Sequence, residues 1–341
     1  MGISSPSTDL LIANTNHTNH REYRLMKNLR PNASSFSQKL KQKGMGIPSP
    51  SSPFDMTLDC HSQKLEIGRR TLIMGVLNIT PDSFSDGGLF AKAETAVEHA
   101  RRMAAEGADI IDIGGESSRP GADQVSVEAE MDRVLPVIEK LVETVEIPIS
   151  IDTYKSAVAR HALEMGACMV NDISALQHDP DMASVVAETG ASVVLMHMQG
   201  TPRDMQIAPH YDSLIDEIIS FLRTRIQVAL DSGISINRII VDPGIGFGKT
   251  IAHNLEIIRR LREFKCLEKP ILVGTSRKSF IGKVLDLTVD DRLEGTASTV
   301  AIAINNGADI VRVHDVKEMA RVAKMTDAIV RKSPVTRALT T

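Results

Sequence analysis

Eight short apolar runs alternate with eight amphipathic segments between residues 71 and 332, and few folds accommodate that rhythm. The runs read as strands at 71–79, 109–114, 148–153, 169–173, 192–198, 239–242, 270–275 and 309–314. Each is rich in Val, Ile and Leu at successive positions, as parallel strands covered by helices must be. The segments between them, 93–106, 127–145, 155–165, 181–188, 211–231, 254–264, 292–305 and 317–332, carry helical periodicity. In the first of these, Ala96, Ala100 and Met103 share a face before Gly107 stops the helix. Eight such units in about 260 residues have the size of a (β/α)8 TIM barrel. A doubly wound open sheet is the alternative architecture and needs a reversal of strand order. A barrel brings the C-terminal ends of its strands to one rim, so residues distant in sequence can line one pocket. Those ends are polar: Asn78, Glu116 to Arg119, Asp152, Asn171 and Asp172, His197, Asp242, Ser276 to Lys278, and Arg312 to Asp315.

Composition narrows the function classes. The net charge of -4 and an aromatic content of 3% speak against a basic stripe or a base-stacking platform for nucleic acid. Cys60, Cys168 and Cys266 are widely separated and form no CxxC pair, which argues against a disulfide framework and for a reducing compartment. No apolar run reaches the roughly 18 residues that a membrane span needs. The expectation is a soluble, cytoplasmic protein.

Residues 1–54 differ in kind. They are rich in Ser, Asn, Thr and Pro and lack a sustained apolar period, so they read as a disordered extension. Arg21, Arg24, Lys27, Arg30, Lys39, Lys41 and Lys43 face only Asp9 and Glu22 there. An organellar leader is one reading of that skew; a solvated extension or an upstream start codon is the other. The barrel domain is drawn at 55–335, followed by a short tail at 336–341.

Ordered motifs run through the barrel segment. Residues 74–88 (Met-Gly-Val-Leu-Asn-Ile-Thr-Pro-Asp-Ser-Phe-Ser-Asp-Gly-Gly) resemble the first signature of the dihydropteroate synthases. Residues 112–122 resemble the second, and Asn171-Asp172-Ile173, 195–200, 242–249, 274–279 and 312–316 follow in the same order. The resemblance covers roughly residues 71–330. It implies condensation of 6-hydroxymethyl-7,8-dihydropterin diphosphate with 4-aminobenzoate, giving 7,8-dihydropteroate and diphosphate, in a homodimer. A pterin edge needs fixed donors and acceptors in a mostly apolar cavity. Asp152, Asn171, Asp242 and Lys278 supply such a set from four strand ends, and the resemblance assigns them to the pterin.

For the leaving diphosphate the resemblance implies Asn78, Arg119, Arg312 and His314. Arg312 and His314 alternate with Val313, so both side chains face the barrel axis, where barrel enzymes commonly seat phosphate. Mg2+ is the implied cofactor, with Asn78 as its protein ligand. An Asn oxygen is a weak neutral ligand, so substrate and water must complete the shell. Ser118, Phe247, Ser276 and Phe84 are implied around the aminobenzoate. Ser118 departs from the threonine that many members carry, keeping the hydroxyl and losing a methyl, which can shift affinity for aminobenzoate or its sulfonamide mimics. Asp242, Lys278, Arg312 and His314 are the catalytic candidates. Loops 80–90 and 117–124, each with Gly or Pro, are expected to act as lids.

Two other motifs mislead. Residues 244–250 end in Gly-Lys-Thr, but a P-loop needs glycine where Pro243 stands. His197, between Met196 and Met198, has no second metal ligand at helical spacing and is expected to pack in the barrel or wall the pocket. Two rivals to the synthase reading are a catalytically silent pterin-binding paralogue and a pterin-dependent methyltransferase domain. The first would lack the loop signatures or the Arg-His pair. The second would lack the Asn-Ile-Thr-Pro-Asp-Ser-Phe-Ser loop.

Overall fold

The computed structural model describes residues 56–60, 63–79 and 89–331. The extension at 1–54, the tail at 336–341, Phe84 and the rest of 80–88 lie outside the described residues. An antiparallel hairpin comes first, β1 (Met56–Cys60) and β2 (Gln63–Ile67). Eight parallel strands follow: β3 (Leu72–Asn78), β4 (Ile110–Gly114), β5 (Ile149–Asp152), β6 (Met169–Asp172), β7 (Ser192–Met196), β8 (Ile239–Asp242), β9 (Leu272–Val273) and β10 (Ile310–Val313). Their spatial order is β8-β7-β6-β5-β4-β3-β10-β9. The gap between β8 and β9 is bridged by the Val241 amide, which donates to Pro270 O at 3.0 Å, and by a parallel bridge between Val241 and Ile271. The barrel is thus nearly closed, and the open-sheet alternative is excluded.

Helices α1 (Leu89–Ala105), α2 (Val127–Thr144), α3 (Ser156–Glu164), α4 (Met182–Thr189), α5 (Leu214–Asp231), α6 (Ile251–Arg259), α7 (Ser279–Leu285), α8 (Leu293–Asn305) and α9 (Val316–Val330) form the outer ring. Strict alternation sorts the strand residues into two cores. Ile73, Leu77, Ile111, Ile113, Ile151, Val170, Val193, Leu195, Val241, Val273, Val311 and Val313 face the helices. Leu72, Met74, Ile110, Met169, Val194, Ile240, Leu272 and Ile310 fill the barrel itself, with Ile67 of the hairpin packed beneath them. At about 25 cal/mol per Å2 of apolar surface removed from water, burying such a set is the main stabilising contribution.

Two features depart from the sequence-based expectation. Residues 56–67 were assigned no strands, yet they form the hairpin that closes the lower barrel mouth. The connection from β9 to β10 holds two helices, α7 and α8, where periodicity shows one. The recurring Gly-Ala-Asp before strands also gains a reason. Asp109 Oδ2 accepts the Ile73 amide at 2.8 Å and Asp309 Oδ2 accepts the Ile271 amide at 2.9 Å. Each aspartate therefore satisfies an amide near the start of the neighbouring strand, a group that would otherwise be an unpaired donor at a barrel edge.

Candidate active site

Two residues above the apolar layer, the inward positions change character. Val76, Asp152, Asn171, Met196, Asp242, Gly274 and Arg312 line a cavity of about 440 Å3, together with Ser118, Ile173, Phe247, Ser276, Lys278 and His314. On β8 the step is Ile240 to Asp242, on β6 Met169 to Asn171, on β10 Ile310 to Arg312. The structure thus gathers Asp152, Asn171, Asp242, Lys278, Arg312, His314, Ser118, Phe247 and Ser276 around one cavity. Asn78 and Arg119 lie outside its lining. Asn78 is nonetheless adjacent: a Cβ added at Gly114 would lie 3.5 Å from Asp152 Cβ and 3.6 Å from Asn78 Oδ1. Arg119 is exposed on loop 117–124, whose Gly121 amide donates to Pro202 O at 3.1 Å.

Asp242 is fixed by its own strand end. Its Oδ1 accepts the Gly244 amide at 2.7 Å, which holds the carboxylate plane and leaves Oδ2 without a protein partner among the described residues. Gly244 has φ +71, and a side chain there would overlap the His197 carbonyl, so glycine is required. Burial raises the Asp242 pKa, opposed by Lys278. Lys278 donates from Nζ to Ile245 O and lies 4.7 Å from the centre of the Phe247 ring. Burial lowers its ammonium to about 8, with Asp242 resisting the fall. The pair places a carboxylate acceptor and an ammonium donor on one wall, two groups that a planar amino-heterocycle can bridge.

Across the cavity, Arg312 donates from Nε to Asp112 Oδ2 and from Nη2 to Asp152 Oδ2, each at 2.6 Å. Asn171 Nδ2 donates to the same Asp112 oxygen at 3.0 Å. Burial opposes the Arg312 charge, but Asp112 and Asp152 outweigh it and its pKa is raised. Burial also pushes the Asp152 carboxyl up to about 7, against the pull of Arg312 and with the help of Asp112. Arg312 therefore meets the cavity with Nη1 alone free of protein partners among the described residues. His314 Nδ1 lies 3.0 Å from Ser276 Oγ. Burial, then the neighbouring Arg312 and Arg277, lowers its pKa to about 4, so it is neutral at pH 7.

Asp112 was missed as a site residue. It lies between Ile111 and Ile113, fully buried, and its inward position two residues above Ile110 was the available signal. A second unanticipated cluster stands behind loop 117–124. Lys155 pairs with Glu116 and, at 2.5 Å, with Glu130, while Tyr154 Oη donates to Glu116. No spacing in the sequence brings those four together. Adjacent Asp172 does something different from Asn171: it faces away from the axis and accepts from Ser174 N and Oγ and from Leu176 N, each at 2.7 Å. His197 is buried against Phe221, ring centres 4.9 Å apart, and burial depresses its pKa strongly. Lys249, the lysine of the false P-loop, turns inward onto it.

Comparison with known proteins agrees with this geometry. Residues 74–314 match the family described as pterin binding enzyme. The chain is 48% identical over 283 residues to dihydropteroate synthase of Bacillus subtilis, covering 82% of this chain and 97% of that protein. A Clostridium difficile dihydropteroate synthase solved with pteroic acid is 50% identical, with a TM-score of 0.75, covering 79% of this chain and all of that one (100%). A Xanthomonas albilineans dihydropteroate synthase solved with 4-aminobenzoic acid is 43% identical, with a TM-score of 0.76, covering 81% and 98% of the two chains. The polar layer at the barrel rim and the matched residues lead to one conclusion: this chain belongs to the pterin binding enzyme family, and the relatives it matches over nearly their whole length are dihydropteroate synthases.

Proposed function

We propose that the chain is a dihydropteroate synthase, a transferase that condenses 6-hydroxymethyl-7,8-dihydropterin diphosphate with 4-aminobenzoate to form 7,8-dihydropteroate and release diphosphate. The carrying observation is the 440 Å3 cavity whose wall changes from apolar to polar within one inward step of the strands. Asp242, Asn171, Asp152 and Lys278 hold the pterin edge, and Phe247, Ser276 and Ser118 wall the arylamine, with Phe84 assigned there by family resemblance.

In the reaction the bond from the pterin methylene carbon to oxygen breaks and its electron pair leaves on diphosphate. The arylamine nitrogen, unprotonated at neutral pH, forms the new bond and releases a proton to solvent. Positive charge developing on the pterin is stabilised by the Asp242 carboxylate, which its Gly244 hydrogen bond has already oriented. The departing anion meets Arg312 Nη1, Arg119 and the His314 imidazole. Neutral His314 acts there as an N–H donor, and a bound anion raises its pKa.

Magnesium fits this site as an ion that arrives with the diphosphate. Among the described residues no cluster of three His, Cys, Asp or Glu side chains can hold a metal, and the neighbouring donor is the neutral oxygen of Asn78. Asn78 would hold it, and when bound it would neutralise charge on the diphosphate oxygens. The active form is a homodimer: Val284, Leu285, Val289, Leu293, Ile302, Met325 and Ile329 expose apolar surface on α7 to α9, a concentration that calls for a partner. We place the enzyme in the cytoplasm, supported by its sparse, widely separated cysteines Cys60, Cys168 and Cys266 and by the lack, among the described residues, of any helix long and apolar enough to cross a membrane. The test is magnesium-dependent conversion of the pterin diphosphate and 4-aminobenzoate to dihydropteroate, identified by mass, with diphosphate released. Pterin binding without turnover would instead indicate the silent paralogue.

A further inference from the structure

The loop 244–250 is held in an unusual way. Four consecutive carbonyls each accept a hydrogen bond from a side chain, and the donors come from the β7–α5 connection, from the end of β9 and from the loop itself. Ile245 O takes Lys278 Nζ, Gly246 O takes Gln206 Nε2 at 2.6 Å, Phe247 O takes Lys249 Nζ at 2.9 Å, and Gly248 O takes Tyr211 Oη at 2.7 Å. Loop carbonyls at a protein surface are ordinarily satisfied by water. Here the loop is also pinned from below: a side chain at Gly248 would meet Gln199 O at 2.5 Å, so the backbone lies directly against the β7 loop.

Lys249 is the central donor. Its side chain is buried, and Nζ meets three acceptors: Phe247 O, His197 Nδ1 at 3.0 Å and His197 O at 3.3 Å. Burial pushes the Lys249 pKa well below the ordinary lysine value, and these three contacts satisfy its amino group. Without them, a buried lysine would be a large penalty. Tyr211 completes the clamp, its ring 6.0 Å from His197 and 5.1 Å from His253. What the clamp presents to the cavity is one side chain, Phe247, held over Lys278.

We propose that Lys249 and Tyr211 are positioning residues for the arylamine: by fixing the carbonyls of Phe247 and Gly248, they hold the Phe247 ring where it packs on the second substrate. Neither residue lines the cavity, so both act through Phe247. The inference rests on the synthase reading given above. Small displacements of a positioning group are enough to change rates and affinities severalfold.

The test is steady-state kinetics of the full chain carrying Lys249→Met or Tyr211→Phe, each alone and combined with Phe247→Ala. Lys249→Met should raise KM for 4-aminobenzoate about tenfold and Tyr211→Phe about threefold, with kcat and the KM for pterin diphosphate moving less than about twofold. On the Phe247→Ala background both effects should shrink below about 1.5-fold, because residues acting through one group are not additive. Equal rises in both KM values, or undiminished effects beside Phe247→Ala, would overturn the proposal. Should Lys249→Met not fold, Tyr211→Phe, which removes one hydroxyl, decides alone. Hydrogen exchange over 244–250 reads the clamp without turnover: at least about tenfold faster exchange is expected in the variants, and unchanged exchange refutes it. Wild-type protein that releases no diphosphate would count against the synthase reading, while the exchange result would still judge the clamp.

Discussion

Ile240 and Asp242 stand two residues apart on β8 and face the same axis, yet they belong to regions with opposite purposes. Around Ile240 the barrel is filled by aliphatic and methionine side chains with the hairpin sealed beneath them. Around Asp242 the inward positions of four strands carry a charge or an amide (Asp152, Asn171, Asp242 and Arg312), and burial displaces the pKa values of Asp152, Asp242, Lys278 and His314. The lower layer gains stability by excluding water. The upper layer gives stability up, since buried charges need partners that a substrate completes. One inward step thus separates the plug from the chemistry, and the two layers can be perturbed independently.

The largest expected effect comes from Asp242→Asn. The side chain keeps its shape, but the charge facing the developing pterin cation is lost. Diphosphate release should fall by about 10^3, equivalent to roughly 4 kcal/mol, measured with saturating pterin diphosphate both with and without 4-aminobenzoate. The melting temperature should change little, because a buried carboxylate whose pKa is already raised gains from losing its charge what it loses from Lys278. An unchanged rate of release would remove Asp242 from the mechanism and erase the division between layers.

Its counterpart on the same strand is Ile240→Ala. Truncation leaves a cavity in the dry layer, and unfolding free energy should drop by about 3 kcal/mol in a denaturant titration. The kcat/KM of the folded fraction should stay within about twofold, since Ile240 packs among the aliphatic and methionine side chains of the lower layer. A large loss of activity at full folding would mean that the layers are coupled.

How much of this was legible beforehand follows from the same geometry. Period-two alternation shows which strand residues share a face, so Asp152, Asn171, Asp242 and Arg312 could be placed on the axis from their neighbours alone. Alternation does not show which inward residues touch. Arg312 and Asp112 are 200 residues apart and meet only because the barrel sets β10 beside β3, with β4 on the far side of β3. Alternation thus places Arg312 on the axis without revealing the two carboxylates, Asp112 and Asp152, that hold it there. The hairpin was missed for another reason. Leu58, Leu65 and Ile67 alternate with polar residues over strands of five residues each, too short a run to stand out from the polar leader. The donors to loop 244–250 come from two separate segments and the loop itself, a pattern that no local window contains.

A smaller effect separates the layers by pH. Lys278 in the folded protein releases its proton near 8, whereas an unfolded lysine holds it to about 10.4. Between those values the unfolded chain binds more protons, so this group makes stability rise as pH increases. Activity should move the other way, with kcat/KM for pterin diphosphate falling about tenfold per unit above pH 8 as the ammonium is lost. Lys278→Met should abolish that limb. Parallel decline of stability and activity above pH 8 would assign the limb to unfolding instead.

The smallest expected effect tests the rim above both layers. Ser118 lines the cavity from loop 117–124, on no strand, and restoring a threonine adds one methyl without removing the hydroxyl. A methyl buried on binding contributes about 0.8 kcal/mol, so Ser118→Thr should lower KM for 4-aminobenzoate by up to about fourfold. The KM for pterin diphosphate should not change, because the pterin-facing groups come from the strand ends. The melting temperature should also hold within about one degree, since this half-buried side chain on a loop packs in neither core. If both KM values shift together, loop 117–124 is governing access to the whole cavity and not the fit of one substrate, and the rim must then be counted as part of the polar layer.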